Sequence, residues 1–129
     1  MKIRSLLAVS TLAVLSAMVP NNLQAQTIQT CPTAYDDVPV GVEYAYRDPE
    51  PAYIYAEDIN SSINARSGPG TEHEVLMLKE PEDYVDVVAQ AFSTQCDTWL
   101  KVQAPITGRL GWVHIDYVYF AGGPRGLWD

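Results

Sequence analysis

The chain has 129 residues, with 16 Asp and Glu against 8 Lys and Arg, a net charge of −8. That length suits one domain with an appended segment. The acidic balance excludes nucleic acid as the expected partner and opposes purely electrostatic adhesion to anionic lipid or wall polymer, because the long-range field repels both. A basic protein, a peptide or a neutral ligand fits better.

Lys2 and Arg4 open the chain, and an apolar stretch from Leu6 to Val19 follows, broken only by Ser10, Thr11 and Ser16. Pro20, Asn21 and Asn22 end it. This is the pattern of a secretory signal over 1–25, with cleavage after Ala25. The run is shorter than the roughly 20 apolar residues a membrane helix needs, so no stable span is expected after cleavage. An uncleaved anchor is the alternative, since Leu23, Gln24 and Ala25 match the small-x-small cleavage pattern only in part. Ile28, Gln29 and Thr30, ahead of Cys31, do not resemble a lipobox. Losing Lys2 and Arg4 leaves 6 basic against 16 acidic side chains, a net charge of −10. The expected location is the periplasm or the medium.

Two cysteines, Cys31 and Cys96, remain after such processing, in a compartment that permits disulfides. A bridge between them is expected. It closes a long loop, worth about 4 kcal/mol in the chain-entropy model. There is no CxxC pair and no cluster of metal ligands, so neither cysteine reads as nucleophile or ligand.

Residues 26–51 are rich in Pro, Tyr and acid: Pro32, Pro39, Pro49 and Pro51 fall among Tyr35, Tyr44 and Tyr46. Proline at this density opposes long regular elements, which predicts an extended arm. The alternation of Val42, Tyr44 and Tyr46 allows one short edge strand. After Pro51 the pattern becomes short strands and turns. The expected strands are Tyr53 to Glu57, a run through Ile63 and Ala65, Glu74 to Lys79, Tyr84 to Phe92, Trp99 to Val102, and Leu110 to Val113. Ser67, Gly68, Pro69 and Gly70 form a tight loop, and turns fall at 80–83, 93–97 and 105–108. No mature segment shows a 3.6-residue apolar period, so helix should be scarce.

Ile63, Asn64, Ala65, Arg66, Ser67, Gly68, Pro69, Gly70 and Thr71 closely resemble the opening signature of the bacterial SH3-like domain family. Val75 and Leu76 follow at the place of that family's next strand, and Trp99, Leu100, Lys101 and Val102 resemble its tryptophan strand. The run from Gly111 through Trp112, Val113, His114, Ile115, Asp116 and Tyr117 to Val118 looks like its closing segment. The resemblance implies an all-β fold, a small, partly open SH3-like β-barrel of five or six strands over 52–120, with a tail at 121–129. Two features depart from the family. Glu80, Pro81, Glu82 and Asp83 stand where members commonly carry a Lys-Gly turn, and the segment from Ala91 to Asp97 is longer than the shortest family connections.

In SH3-like barrels the short turn before the last strand helps to wall a peptide groove. By that resemblance Trp112, His114 and Tyr117 are the expected ligand contacts, rigid rings that bury area at low entropic cost. A wholly structural aromatic cluster is the competing reading. Arg66 either pairs with Glu72 or Glu74 or offers its planar fork to a ligand carboxylate. Trp99, in an alternating strand, reads as core.

Catalysis finds little support, since only His73 and His114 titrate near neutral pH and neither lies in a nucleophile motif. Glu72, His73 and Glu74 alternate along an extended chain, so they cannot converge on one metal ion. No cofactor is implied. The expectation is an exported, non-catalytic module that recognises a peptide, either a peptidoglycan stem peptide or a segment of another envelope protein. One rival is an envelope assembly protein that makes its contacts through arm and tail; another is a small hydrolase or metal-dependent enzyme.

Overall fold

The computed structural model describes residues 27–122, so the expected signal and most of the tail lie outside the described residues. The fold is all-β. Strands β1 (Thr30–Pro32) and β2 (Asp37–Pro39) form a hairpin. Seven more follow: β3 (Tyr44–Ile54), β4 (Ile63–Arg66), β5 (Val75–Lys79), β6 (Tyr84–Phe92), β7 (Thr98–Gln103), β8 (Leu110–His114) and β9 (Val118–Phe120). A single 3₁₀ turn, Ile115–Tyr117, separates β8 from β9. The seven form one antiparallel sheet in the order β5-β4-β8-β7-β6-β3-β9.

One core cluster joins Ala52 and Ile54 of β3 to Ile63 and Ala65 of β4, through Val85, Val87, Leu100, Val102 and Val113. In a flat sheet β3 and β4, four strands apart in this order, would lie about 19 Å from each other at ordinary strand spacing. The sheet therefore curls about its inner face. The main-chain N–H of Ile54 donates to Asp83 at 2.9 Å and that of Glu82 to Ile54 at 2.7 Å, which brings the end of β3 to the turn after β5. No pairing joins the edge strands β5 and β9, so the curl stays open.

Gly111 lets β8 approach β4 closely. A Cβ at this position would meet the Cβ of Ala65 at 2.9 Å and the Met77 Cε at 3.1 Å. In the turn of 80–83, the Asp83 N–H donates to the Glu80 carbonyl at 3.0 Å and Glu82 has φ of 77°. Proline second and a left-handed third residue make this a type II turn, where glycine is the usual third residue.

The strands at β4, β6, β7 and β8 agree with the sequence pattern, but the first half of the chain does not. Residues 30–39 form a hairpin rather than an extended arm, and the expected separate strands near Val42 to Arg47 and Tyr53 to Glu57 are one strand, β3. It runs across the expected boundary at residue 52 and lies inside the sheet, paired to β6 and β9. The sheet has seven strands rather than five or six. Proline is accommodated because pairing passes from Ala45↔Ala89 to Glu50↔Val87, leaving residues 46–49 opposite Val88 alone. Pro49 sits in this bulge. Pro51 turns its carbonyl toward Ala121, which donates at 3.0 Å. In a strand the N–H and C=O of one residue point the same way, so its missing donor faces the end of the short edge strand β9.

The expected disulfide is present: Cys31 and Cys96, 65 positions apart in sequence, are bonded, with Cα atoms 5.4 Å apart. It pins β1 to the turn between β6 and β7. Gln29 Nε2 donates to the Thr94 carbonyl at 2.8 Å and Gly41 N–H to Phe92 at 2.9 Å, so the hairpin is held at three points. Among the described residues no helix is long and apolar enough to cross a membrane.

Candidate functional site

The site lies on the outer face of the sheet. Directly opposed residues on antiparallel strands share a face, and the register opposes Ala91 to Trp99, Trp99 to His114, Lys101 to Trp112 and Trp112 to Arg66. Val88 is an extra residue against β7, between Val87↔Val102 and Ala89↔Lys101. It resets the alternation. Val85 and Val87 therefore join the inner core, while Ala89 and Ala91 pack with Trp99 and Trp112.

A hollow of about 290 Å³ opens beside this stripe, lined by Ser62, Ile63, Asn64, Arg66, Thr71, Trp99, His114, Asp116 and Tyr117. Three of the four expected contacts are here: Arg66, His114 and Tyr117. Trp112 is not. It is 6 % exposed, with Lys101 Nζ 5.9 Å above its ring, and Lys101 is held there by Glu43 at 3.1 Å. Trp99 provides the indole wall in its place, 4 % exposed yet reaching the hollow. Its indole N–H has no hydrogen-bond partner among the described residues.

Each wall residue has a local reason for its position. Arg66 Nη1 donates to the carbonyls of Thr71 at 3.1 Å and His73 at 2.9 Å, so it braces the loop of residues 67–74 through main-chain acceptors rather than through Glu72 or Glu74. In that loop a Cβ on Gly68 would stand 2.6 Å from the His73 imidazole, so glycine lets the ring pack against the chain. His114 caps the 3₁₀ turn: its Nδ1 accepts from the Asp116 N–H at 3.0 Å. In that arrangement the ring proton is on Nε2, 3.5 Å from Asp97. Trp99 meets the imidazole edge-on at 5.5 Å and Tyr117 at 6.1 Å, so His114 is clamped between two rings.

The sequence reasoning missed Ser62, Asn64, Thr71 and Asp116 as lining residues; Trp99 is core as expected, buried with Ala89, Ala91 and Trp112, and lines the hollow as well. Asn64 was readable in part. It alternates with the buried Ile63 and Ala65, which turns it to the face opposite the core.

Among the described residues no group of three or more His, Cys, Asp and Glu could hold a metal ion. Glu72 Oε1 lies 3.5 Å from His73 Nε2, a simple pair. The hollow is lined by aromatic, amide and hydroxyl side chains. No family model, curated protein or solved structure matches the chain.

Proposed function

We propose that the chain is an exported, non-catalytic recognition module in which an SH3-like, partly open barrel holds an extended peptide in the hollow beside the 3₁₀ turn. The peptide is a peptidoglycan stem peptide or a segment of another envelope protein. One observation carries the reading: Trp99, almost wholly buried, lines the hollow together with the half-exposed ring of Tyr117, and its indole N–H has no hydrogen-bond partner among the described residues. A concave aromatic surface with a few convergent polar groups suits a peptide main chain.

The barrel reading is supported by the order of the SH3-like motifs and by the curl that joins β3 and β4 in one core. The disulfide supports export, because such bonds persist in oxidising compartments. The Nδ1 of His114 is already engaged by the Asp116 N–H, which favours a positioning role over proton transfer.

The test is a pull-down from envelope extract with the purified full chain, alongside sedimentation with purified peptidoglycan. Retention of a partner that Tyr117→Ala loses while staying folded supports the reading. Equal retention by both proteins refutes it.

A second reading has its own observation. Tyr35, at the tip of the hairpin of residues 30–39, is 94 % exposed on a segment fixed by the disulfide. Retention lost in Tyr35→Ala and kept in Tyr117→Ala selects contact through the hairpin.

A further inference from the structure

The groove continues past Tyr117. A second hollow, of about 690 Å³, shares Ser62, Ile63, Asp116 and Tyr117 with the first and adds Tyr55, Glu57 and Asp58. Two half-exposed tyrosines line the second hollow, Tyr55 at 50 % and Tyr117 at 42 %, and Tyr117 borders both. Their main chains are joined: the Tyr55 N–H donates to the Tyr117 carbonyl at 2.8 Å.

Among the described residues Glu57 and Asp58 have no ion-pair partner, and Asp116 faces only His114 while its side chain is 79 % exposed. Of the five Lys and Arg among the described residues, four are engaged elsewhere, and the fifth, Arg47, is exposed in the β3 bulge and does not line the hollow. Lys79 and Lys101 pair with Asp83 and Glu43, and Arg66 and Arg109 donate to main-chain carbonyls. Aromatic faces beside carboxylates form a cation-selective surface, because ring quadrupole and negative charge act in the same direction. The acidic chain as a whole adds a long-range attraction of the same sign.

On the reading that the first hollow holds an extended peptide, we propose that the same segment crosses Tyr117 and places a Lys or Arg side chain in the second. The cation lies among Glu57, Asp58 and Asp116, and its methylene stem covers the rings of Tyr55 and Tyr117. The occupant is a peptide rather than a free amine. Four shared residues make the hollows one trough, and Trp99, which lines the first and whose indole N–H has no partner among the described residues, suits a main-chain carbonyl.

The test titrates the isotopically labelled full chain with two end-blocked tetrapeptides, Ala-Lys-Ala-Ala and its Nε-acetyl-lysine counterpart. Both should shift the Trp99 indole signal, with the lysine peptide binding about fivefold to tenfold tighter at low salt. Glu57→Gln with Asp58→Asn, which line the second hollow alone, should shrink that advantage and leave the acetylated peptide's affinity unchanged. Raising the salt to 0.5 M should shrink it, since exposed charges are screened. Equal affinities of the two peptides, both shifting Trp99, would overturn the cation site while leaving the peptide groove in place. Blocked lysine amide binding as tightly as the peptide would overturn the choice of a peptide. No shift at Trp99 or Tyr117 with either peptide at millimolar concentration would overturn the proposal together with the groove.

Discussion

The main-chain N–H of Tyr55 donates to the carbonyl of Tyr117 at 2.8 Å, and this bond ties the exit of β3 to the turn that carries the candidate site. The site thus depends on a strand that begins in the Pro- and Tyr-rich stretch. Stability of the first half of the chain and geometry of the hollow are one problem.

Gly111→Ala should destabilise the protein by about 1–3 kcal/mol, the usual cost of overpacking. The added methyl would meet the Ala65 Cβ, which is anchored on a neighbouring strand and cannot rotate away. Denaturant unfolding should show a lower midpoint with an unchanged slope. A midpoint equal to the parent's would mean that β4 and β8 can separate freely.

Glu82→Gly should stabilise the fold by about 1 kcal/mol, since a side chain in left-handed backbone is disfavoured and glycine is not. Glu82 has φ of 77° at the third position of a type II turn. Glycine also loses more entropy on folding, so the gain is the difference between two effects. Thermal unfolding with the parent as control reads it directly.

Titration of denatured, unreduced protein should find almost no reactive thiol, because both cysteines are in the bridge. Replacing both by Ser should cost about 4 kcal/mol on the loop-closure argument. Amide exchange should rise first in residues 30–39, whose remaining attachments to the turn at 92–96 are few. Exchange that rises uniformly would show the bridge acting on the whole sheet.

The phenol of Tyr84 titrates above its ordinary value of 10.0, chiefly through partial desolvation and then through the Asp86 carboxylate, which accepts its O–H at 3.2 Å. A proton held more tightly in the folded state contributes stability below the unfolded pKa, and that contribution is lost as the pH rises through the folded one. Asp86→Asn should move the Tyr84 transition down without bringing it fully to 10.0. An NMR titration of the ring signals checks this.

How far the sequence reached depended on the kind of signal. β6 was readable from Tyr84 to Phe92 by alternation, and the turn at 80–83 by its proline and acids. β3 was not, because Pro49 and Pro51 read as breakers, and only the bulge of residues 46–49 against Val88 makes room for them. The exchange of Trp112 for Trp99 has a similar origin. Alternation places a residue on one face or the other, but it does not say that Lys101, fixed by Glu43 from outside the matched motifs, covers Trp112. The second hollow was missed because Tyr55, Glu57 and Asp58 come beside Asp116 and Tyr117 only through pairing at the end of β3.

The claim that the hollow is the binding site is tested most directly by mapping amide and indole shifts of the labelled chain on adding the partner recovered from envelope extract. The account predicts shifts concentrated at Asn64, Trp99, His114 and Tyr117, little change at Trp112, and a loss of about 1–3 kcal/mol of affinity in Tyr117→Ala. Shifts confined to the hairpin around Tyr35, with Tyr117→Ala binding as tightly as the parent, would contradict it.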